Sequence, residues 1–407
     1  MTERLYLQDA YVTSFAAHIT ERVLWPDGRL AVALDRTAFC PGVGGLLADR
    51  GVLNRVQVAE VLMRESDGEI LHMLSEEIWE DQVQARIDWP RRVDGMRQHT
   101  AGHLLASAFA QACGAATVGI GVTEREAFLD LDKRDFAPAQ IEQAEAAANE
   151  VVLGNRAVRM ATLDAAQAAK LGLPAPLNQQ AMGSGTAWPL QVMSVEGAGV
   201  TACNGVHVAR TSEVGLIKVV GSEPLGHRLR VRFVAGARAL AETRRVDQTL
   251  EHIAASLGVS AAQAEPAVTR LMVELNATLA ELETVRGRAL GAEADVLAAN
   301  AETVGGVCLV RRVYAEREIA ELRQLAHLIT TRPGLVALLG VAGDRAQLVF
   351  ARSQDVSLDM TVYIRVAAQV LNAQGGGQST LAQSTPVRAD EARVEAALAK
   401  AIKLLHA

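Results

Sequence analysis

Up to about Arg91 the chain alternates apolar and polar residues in short runs, Ala31-Val32-Ala33-Leu34 and Val56-Gln57-Val58-Ala59-Glu60-Val61-Leu62 among them. Asp-Gly pairs at Asp27-Gly28 and Asp67-Gly68 punctuate these runs. Such alternation with such turn pairs predicts strands joined by hairpins, hence a β-barrel-like domain over residues 1–91. From 92 to 236 the pattern is mixed. An apolar run from His99 through Phe109 predicts a helix ending near Gly114, strands follow at 117–122 and 127–131, and 141–152 reads as an alanine-rich amphipathic helix. Gly183-Ser184-Gly185 and Trp188-Pro189 predict a loop leading into a strand at 190–195.

Two amphipathic stripes come next. Thr243, Val246, Leu250, Ile253 and Leu257 keep a three-four spacing up to Gly258, and Val268, Leu271, Leu275, Thr278, Leu282, Val285 and Ala289 resume it beyond Pro266. Stripes of this kind joined by a short loop predict an antiparallel helical hairpin over 237–300, a spacer or a dimerisation arm. Residues 301–407 alternate strand-like runs (307–310, 336–339, 347–351) with helix-like ones (319–328, 362–372), which predicts a small α/β domain. The fold class expected is therefore α+β: an N-terminal β-barrel-like domain, an α/β domain, the helical hairpin and a small C-terminal α/β domain.

Composition narrows the function classes. The 407 residues are 50% hydrophobic, enough for about two to four domains at ~100–200 residues each. A formal net charge of −7 argues against indiscriminate coating of nucleic acid, whose non-specific affinity comes from neutralised phosphates, while local basic surfaces stay open. Four cysteines, Cys40, Cys113, Cys203 and Cys308, are too few and too scattered for a disulfide framework and fit a reduced, cytoplasmic setting. No basic segment backed by an apolar stretch opens the chain, and no apolar run approaches ~18 residues, so neither export nor membrane insertion is expected.

The candidate chemistry centres on Gln98-His99-Thr100-Ala101-Gly102-His103-Leu104-Leu105. Positions four apart share one helix face at roughly 5–6 Å, a separation from which His99 and His103 can grip one metal ion. Two histidines on an apolar helix are more often core residues satisfied by neighbours. A second four-spaced pair, Cys203 and His207 around an Asn-Gly turn signal, shifts the balance, because together they offer three nitrogens and one sulfur, a zinc-type donor set. In the first domain, Thr37-Ala38-Phe39-Cys40-Pro41-Gly42-Val43-Gly44-Gly45-Leu46 brings a backbone close to a ligand or makes a tight inter-strand turn. The strand around Arg228, Arg230 and Arg232 puts its arginines on one face, either solvated or in contact with phosphate. Gln374-Gly375-Gly376-Gly377-Gln378 exposes backbone N–H groups able to cradle a phosphate or an RNA end.

Taken together, the segment from Met96 to Leu105, Cys203-x-x-x-His207 followed by Arg210-Thr211-Ser212-Glu213-Val214-Gly215-Leu216-Ile217-Lys218, Phe233-Val234-Ala235-Gly236, the helical hairpin, the glycine run and Ala382-Gln383 resemble the editing and C-terminal domains of alanyl-tRNA synthetases. Free-standing AlaX proteins share the editing domain, and the chain resembles their long form, with no aminoacylation domain expected ahead of it. The resemblance implies a zinc-dependent trans-editing hydrolase that deacylates tRNA(Ala) wrongly charged with serine or with glycine. It puts His99, His103, Cys203 and His207 at the zinc positions, with His99 and His103 also counted in the catalytic set. Thr37 matches a position that senses the misplaced hydroxyl, while Gly44, Gly45, Arg228, Arg230 and Gly375, Gly376 and Gly377 would contact substrate or RNA. A homodimer through the hairpin or the C-terminal domain is also expected.

The chain departs from the family's pattern at Leu46, where glutamine is usual, at Cys40 in place of tyrosine, at Asn204 in place of glycine, and at Gln378-Ser379-Thr380-Leu381 in place of a basic residue and proline. Two other classes stay open: a tRNA-binding protein that has lost turnover, favoured by Leu46, and a metal-dependent hydrolase of another small acyl ester whose C-terminal domain serves assembly only.

Overall fold

The computed structural model describes residues 2–25, 28–43, 45–171 and 190–405. The chain is α+β and divides into two compact units, residues 1–253 and 254–407. Gly44, Asp27 and the expected loop at Gly183–Pro189 lie outside the described residues.

The first unit begins with a closed six-stranded antiparallel barrel. Its strands are β1 (Ser14–Leu24), β2 (Leu30–Leu34), β3 (Gly51–Leu53), β4 (Val56–Met63), β5 (Ile70–Leu74) and β6 (Gln82–Ile87), paired in the order β1-β2-β5-β4-β3-β6 and back to β1. Closure removes the free edges that a small sheet would otherwise expose. Along β6 the period of two is strict: Val83, Ala85 and Ile87 point inward and the residues between them outward. β2 and β5 depart from half-burial. Val32, Leu34, Ile70 and Leu74 fill the barrel while Ala31, Ala33, Leu71 and Met73 join a second cluster with Val23, Trp25 and Leu62 on the outside. Both strands are therefore apolar on both faces, which is why their sequences read as continuous runs.

Asp88 ends the barrel and starts the long helix α1 (Trp89–Cys113), its carboxylate accepting from the Arg91 amide at 3.2 Å, with Pro90 in the first turn. The His-bearing helix thus begins ten residues before His99. Behind it stands a four-stranded antiparallel sheet in the order β12-β13-β8-β7, formed by β7 (Thr117–Val122), β8 (Ala127–Leu131), β12 (Ile217–Leu225) and β13 (Arg228–Ala235). Gly102 lets the helix approach closely, since a Cβ there would sit 2.8 Å from Ile120 Cγ2. Gln98 fixes the register: its side-chain amide donates to the Ala235 carbonyl (2.9 Å) and accepts from the Ala235 amide (2.8 Å). Helix α2 (Pro138–Leu153) packs on α1 through Ala144, Ala148 and Val152. A three-stranded sheet, β9 (Val158–Leu163), β10 (Leu190–Val195) and β11 (Gly199–Ala202), delivers the chain to Cys203.

Helix α3 (Ala237–Ser256) follows, and α4 (Ala264–Ala299) opens most of the second unit. Val268, Leu271, Leu275, Leu282 and Val285 on α4 remain more than 40% exposed. The sheet of this unit runs β14-β15-β16-β17-β19-β18, from β14 (Glu302–Val304), β15 (Val307–Tyr314), β16 (Leu335–Val341), β17 (Gly343–Arg352), β18 (Gly375–Gly377) and β19 (Leu381–Ser384), with β20 (Val387–Ala389) also on β17. α5 (Ile319–Thr330) and the end of α4 cover one face; α6 (Met360–Leu371) and α7 (Glu391–Lys403) cover the other. β16 is buried along its whole length as a result. The glycine run forms the strand at one end of this order, paired Gly375 to Ser384, Gly376 to Gln383 and Gly377 to Ala382. Among the described residues no helix is long and apolar enough to cross a membrane.

Candidate metal centre

His99, His103, Cys203 and His207 converge, their donor atoms all within 4.8 Å of one another. α1 supplies the two four-spaced imidazoles. Cys203 follows directly on β11, its amide bonded to the Gln191 carbonyl (2.9 Å), and the turn through Asn204 and Gly205 carries the chain to His207. Gly205 is required there by space: a Cβ would lie 2.7 Å from both His99 Nδ1 and Leu46 Cδ1.

The donor atoms face one point. His103 Nε2 is 3.1 Å from His99 Nε2, and Cys203 Sγ is 3.3 Å from His99 Nε2 and 3.1 Å from His207 Nε2. Donors at ordinary metal–nitrogen and metal–sulfur lengths around a tetrahedron are roughly 3.3–3.6 Å apart. Outside the cluster, His99 Nδ1 meets the Val206 carbonyl (3.2 Å) and His207 Nδ1 meets Thr100 Oγ1 (3.1 Å). The Val206 carbonyl can only accept, so His99 Nδ1–H donates outward and its Nε2 lone pair is left for the centre, while the Thr100 hydroxyl anchors the outer nitrogen of His207. His103 has no such outer partner among the described residues.

Burial suits the imidazoles to a cation. His99 is pushed down to about 4 by burial, opposed by its bond to Val206, and burial drives His103 and His207 well below the ordinary histidine value. All three rings are neutral ligands at neutral pH. The Cys203 thiol goes the other way, raised to about 12 by burial, so a bound cation must displace its proton. Four groups that could each be left neutral and unpaired are instead turned on one point, and they can hold a metal ion.

The segment after Phe39 lies over this centre. Arg92, the largest fully buried side chain, forms an ion pair with Asp49 and donates to the Ala10 carbonyl (2.7 Å) and to that of Ala38. Asp49 also accepts from the Cys40 amide (2.5 Å). Further along, the Val122 amide donates to Gly45 (2.8 Å), tying the segment to β7. Tyr11 braces the far side, its hydroxyl donating to Glu213 (2.5 Å) and accepting from the Ala209 amide (2.8 Å).

The other expected site residues are placed as follows. Thr37 is fully buried on a two-residue strand (Arg36–Thr37) paired with Glu3–Arg4 outside the barrel, 2.8 Å from His72 Nε2 and accepting from the Phe39 amide at 3.1 Å. Since His72 Nδ1–H donates to Val32 (3.1 Å), Nε2 accepts and the Thr37 hydroxyl donates to it. Arg230 pairs with Asp130 on β8 (2.7 Å) and lies over the Phe128 ring (3.9 Å); Arg232 pairs with Glu126 (3.3 Å). Arg228 has no ion pair among the described residues. Gly375–Gly377 belong to the second unit. Thr100, Arg92, Asp49 and His72 escaped the sequence reading. Only Arg92 left a signal, standing seven residues, two helical turns, before His99.

No protein-family model matches the chain. It is 28% identical to the alanine–tRNA ligase of Methanoregula boonei over 94% of its own length and 41% of that protein. It is 30% identical to the alanine–tRNA ligase of Halobacterium salinarum over 97% of its length and 45% of that protein. Among solved structures, the C-Ala domain of Aquifex aeolicus alanyl-tRNA synthetase aligns at 28% identity, covering 26% of this chain and 99% of that one with a TM-score of 0.25. The chain spans less than half the length of the curated relatives it matches. Over nearly all of its own length it is homologous to a segment of alanine–tRNA ligases.

Proposed function

We propose that the protein is a zinc-dependent deacylase acting in trans on tRNA(Ala) charged with the wrong small amino acid, serine or glycine. The inward-facing group of His99, His103, Cys203 and His207 carries this reading. Its three nitrogens and one sulfur fit zinc in charge, softness and spacing, so these four residues would hold it. When bound, zinc supplies a fixed positive charge that favours developing negative charge on an ester oxygen.

An aminoacyl ester is already activated, and its hydrolysis needs positioning more than a strong nucleophile. The oxygen of water bonds to the acyl carbon, the bond to the ribose oxygen breaks, and that oxygen leaves as a hydroxyl carrying a proton. In this chain the segment from Cys40 to Asp49 would cover the ester beside His99, held down by the Asp49–Arg92 pair. His103, with no bond beyond the cluster, is the ligand best able to give way, and the catalytic set of the reading is therefore Thr37, His99 and His103. Arg228, Gly45 and the glycine strand would contact tRNA. The four domains at 1–91, 92–236, 237–300 and 301–407 would act together in the cytoplasm, and the exposed three-four stripe on α4 would pair with a second copy.

Leu46 at the centre favours one rival, a tRNA-binding protein without turnover. Hydrolysis of seryl-, glycyl- and alanyl-tRNA(Ala), with and without a zinc chelator, separates the two. Chelator-sensitive loss of a non-cognate ester supports the deacylase. A folded, zinc-loaded protein that binds tRNA and cleaves nothing supports the rival.

A further inference from the structure

The outer wall of the barrel carries a concavity of about 560 Å³ where β3 runs between β4 and β6. Its floor is made of short side chains, Val52 and Ala59 beside Gly51, and its rim of long polar ones, Arg50, Gln57 and Arg86. Strand register sets Arg86, Val52 and Gln57 in one outward row. Around the barrel, Arg22, Arg29 and Arg64 each pair with a carboxylate. Among the described residues Arg86 pairs with none, and the Gln57 side chain makes no hydrogen bond. The carboxylate on the rim, Asp88, is engaged in capping α1, where it accepts from the Arg91 amide (3.2 Å).

This groove adjoins the metal centre through one network of ion pairs. Arg50 lies across the groove, its Nε donating to the Ala59 carbonyl (3.1 Å), and its guanidinium reaches Glu124 (3.2 Å). Glu124, in the turn between β7 and β8, also accepts from Arg91 with both oxygens (2.8 and 2.9 Å), and Arg91 lines the small cavity beside His99. Arg238 holds the same turn through the Thr123 carbonyl (2.8 Å). The hydrogen bonds from Arg91 keep the Glu124 carboxyl below its ordinary range, so it is an anion at neutral pH. One carboxylate, itself 56% exposed, thus bridges two arginines that face two neighbouring spaces. Exposed pairs of this kind are weak, and a phosphodiester presents the same two-oxygen fork to a guanidinium. From Asp88 to His99 α1 rises by eleven residues, ~16 Å, so a strand whose end lies at His99 has a phosphate at the groove a few nucleotides back.

We infer that this groove binds a phosphodiester of the RNA strand leading to the metal centre, with Arg86 and Arg50 as its donors, and that Glu124 occupies Arg50 and Arg91 until the phosphate replaces it. The inference rests on the RNA-linked ester of the reading above, and it gives that RNA a path and its entry a brake. Phosphate contacts position a nucleic acid without reading its sequence, so the groove governs reach to the centre and not the choice of tRNA.

The test titrates the full-length, zinc-loaded protein with an uncharged RNA hairpin of the tRNA(Ala) acceptor stem that keeps its single-stranded 3′ end, at several salt concentrations. Arg86→Ala should weaken binding about tenfold at low salt and flatten the slope of log affinity against log salt by about one. Arg55→Ala removes an equally unpaired arginine at the β3–β4 turn, outside the groove, and should do neither. Glu124→Gln should tighten binding about two- to fivefold, and the gain should vanish when Arg50 is alanine. All four side chains are exposed, so the variants fold, and unchanged zinc content checks this. Equal losses from Arg55→Ala and Arg86→Ala would show charge alone at work and overturn the groove, as would no binding by the unaltered protein or an Arg86→Ala protein that binds as well as it does. A Glu124→Gln protein that binds no tighter overturns the exchange. Ester hydrolysis by the same proteins separates this inference from the deacylase reading. Binding that depends on Arg86 in a protein that cleaves nothing upholds the groove and sinks the deacylase, whereas cleavage at subsaturating RNA that Arg86→Ala leaves unchanged does the reverse.

Discussion

Thr100 shows how far a single hydroxyl outside the metal donors can matter. It is fully buried, bonds His207 Nδ1 through its hydroxyl (3.1 Å), and lies 3.4 Å from the donating Val208 amide. Removing such an outer partner leaves the imidazole free to rotate and change tautomer, typically weakening metal binding 10–100-fold. Thr100→Val, of nearly equal volume, should therefore weaken zinc in a chelator competition by about that factor. His103→Ala should cost a ligand but no outer network. His72 offers a different readout, through pH. Burial lowers its pKa from 6.5 to about 4, so between those values the unfolded chain binds a proton that the folded chain does not. Its contribution to stability is whole above about pH 6.5 and is lost as pH falls towards 4, by up to roughly 3 kcal/mol for this shift. The gap in urea stability between pH 7 and pH 5 should shrink in His72→Gln relative to the unaltered protein. The four donors were legible in the sequence because their spacing is local. The contact between Thr37 and His72 was not, because His72 lies on β5 and nothing in the run around Thr37 announces it.

At the scale of elements, the covering segment depends on one ion pair. Arg92 on α1 reaches Asp49 at the end of the segment and Ala38 at its start, so a single guanidinium spans both anchors. Breaking a buried pair by removing one partner strands the other charge and typically costs about 3–5 kcal/mol. Arg92→Ala should lower the denaturation midpoint accordingly and open the segment 40–49 to protease cutting before the rest of the unit; equal protection in the variant would show that Gly45 and Val122 hold it alone. The barrel, the four-stranded sheet and α1 follow from period and turn signals that act over a few residues. The glycine run does not, since three glycines carry no side-chain pattern and only pairing with Leu381–Ser384 makes them a strand. The charge of Arg230 is visible in the sequence, whereas its ion-pair partner Asp130 is brought opposite only by strand register.

At the scale of the whole molecule, the metal donors and the cores around them all belong to residues 1–253, while the second unit has its own sheet with helices on both faces. A ligand bound by one unit stabilises that unit alone by mass action, in proportion to the logarithm of its free concentration over its dissociation constant. Calorimetry of the full chain should accordingly resolve two transitions, of which only one moves when zinc is removed. Residues 1–258, ending at the glycine beyond α3, should fold, bind zinc as the full chain does and reproduce the moving transition. The stationary one should belong to residues 259–407, whose helices and sheet contain none of the four donors. A single transition shifting as a whole would show that the units unfold together. With two transitions, loss of zinc should disable ester cleavage while leaving any tRNA affinity contributed by the second unit intact, which a filter-binding titration with and without chelator would measure directly.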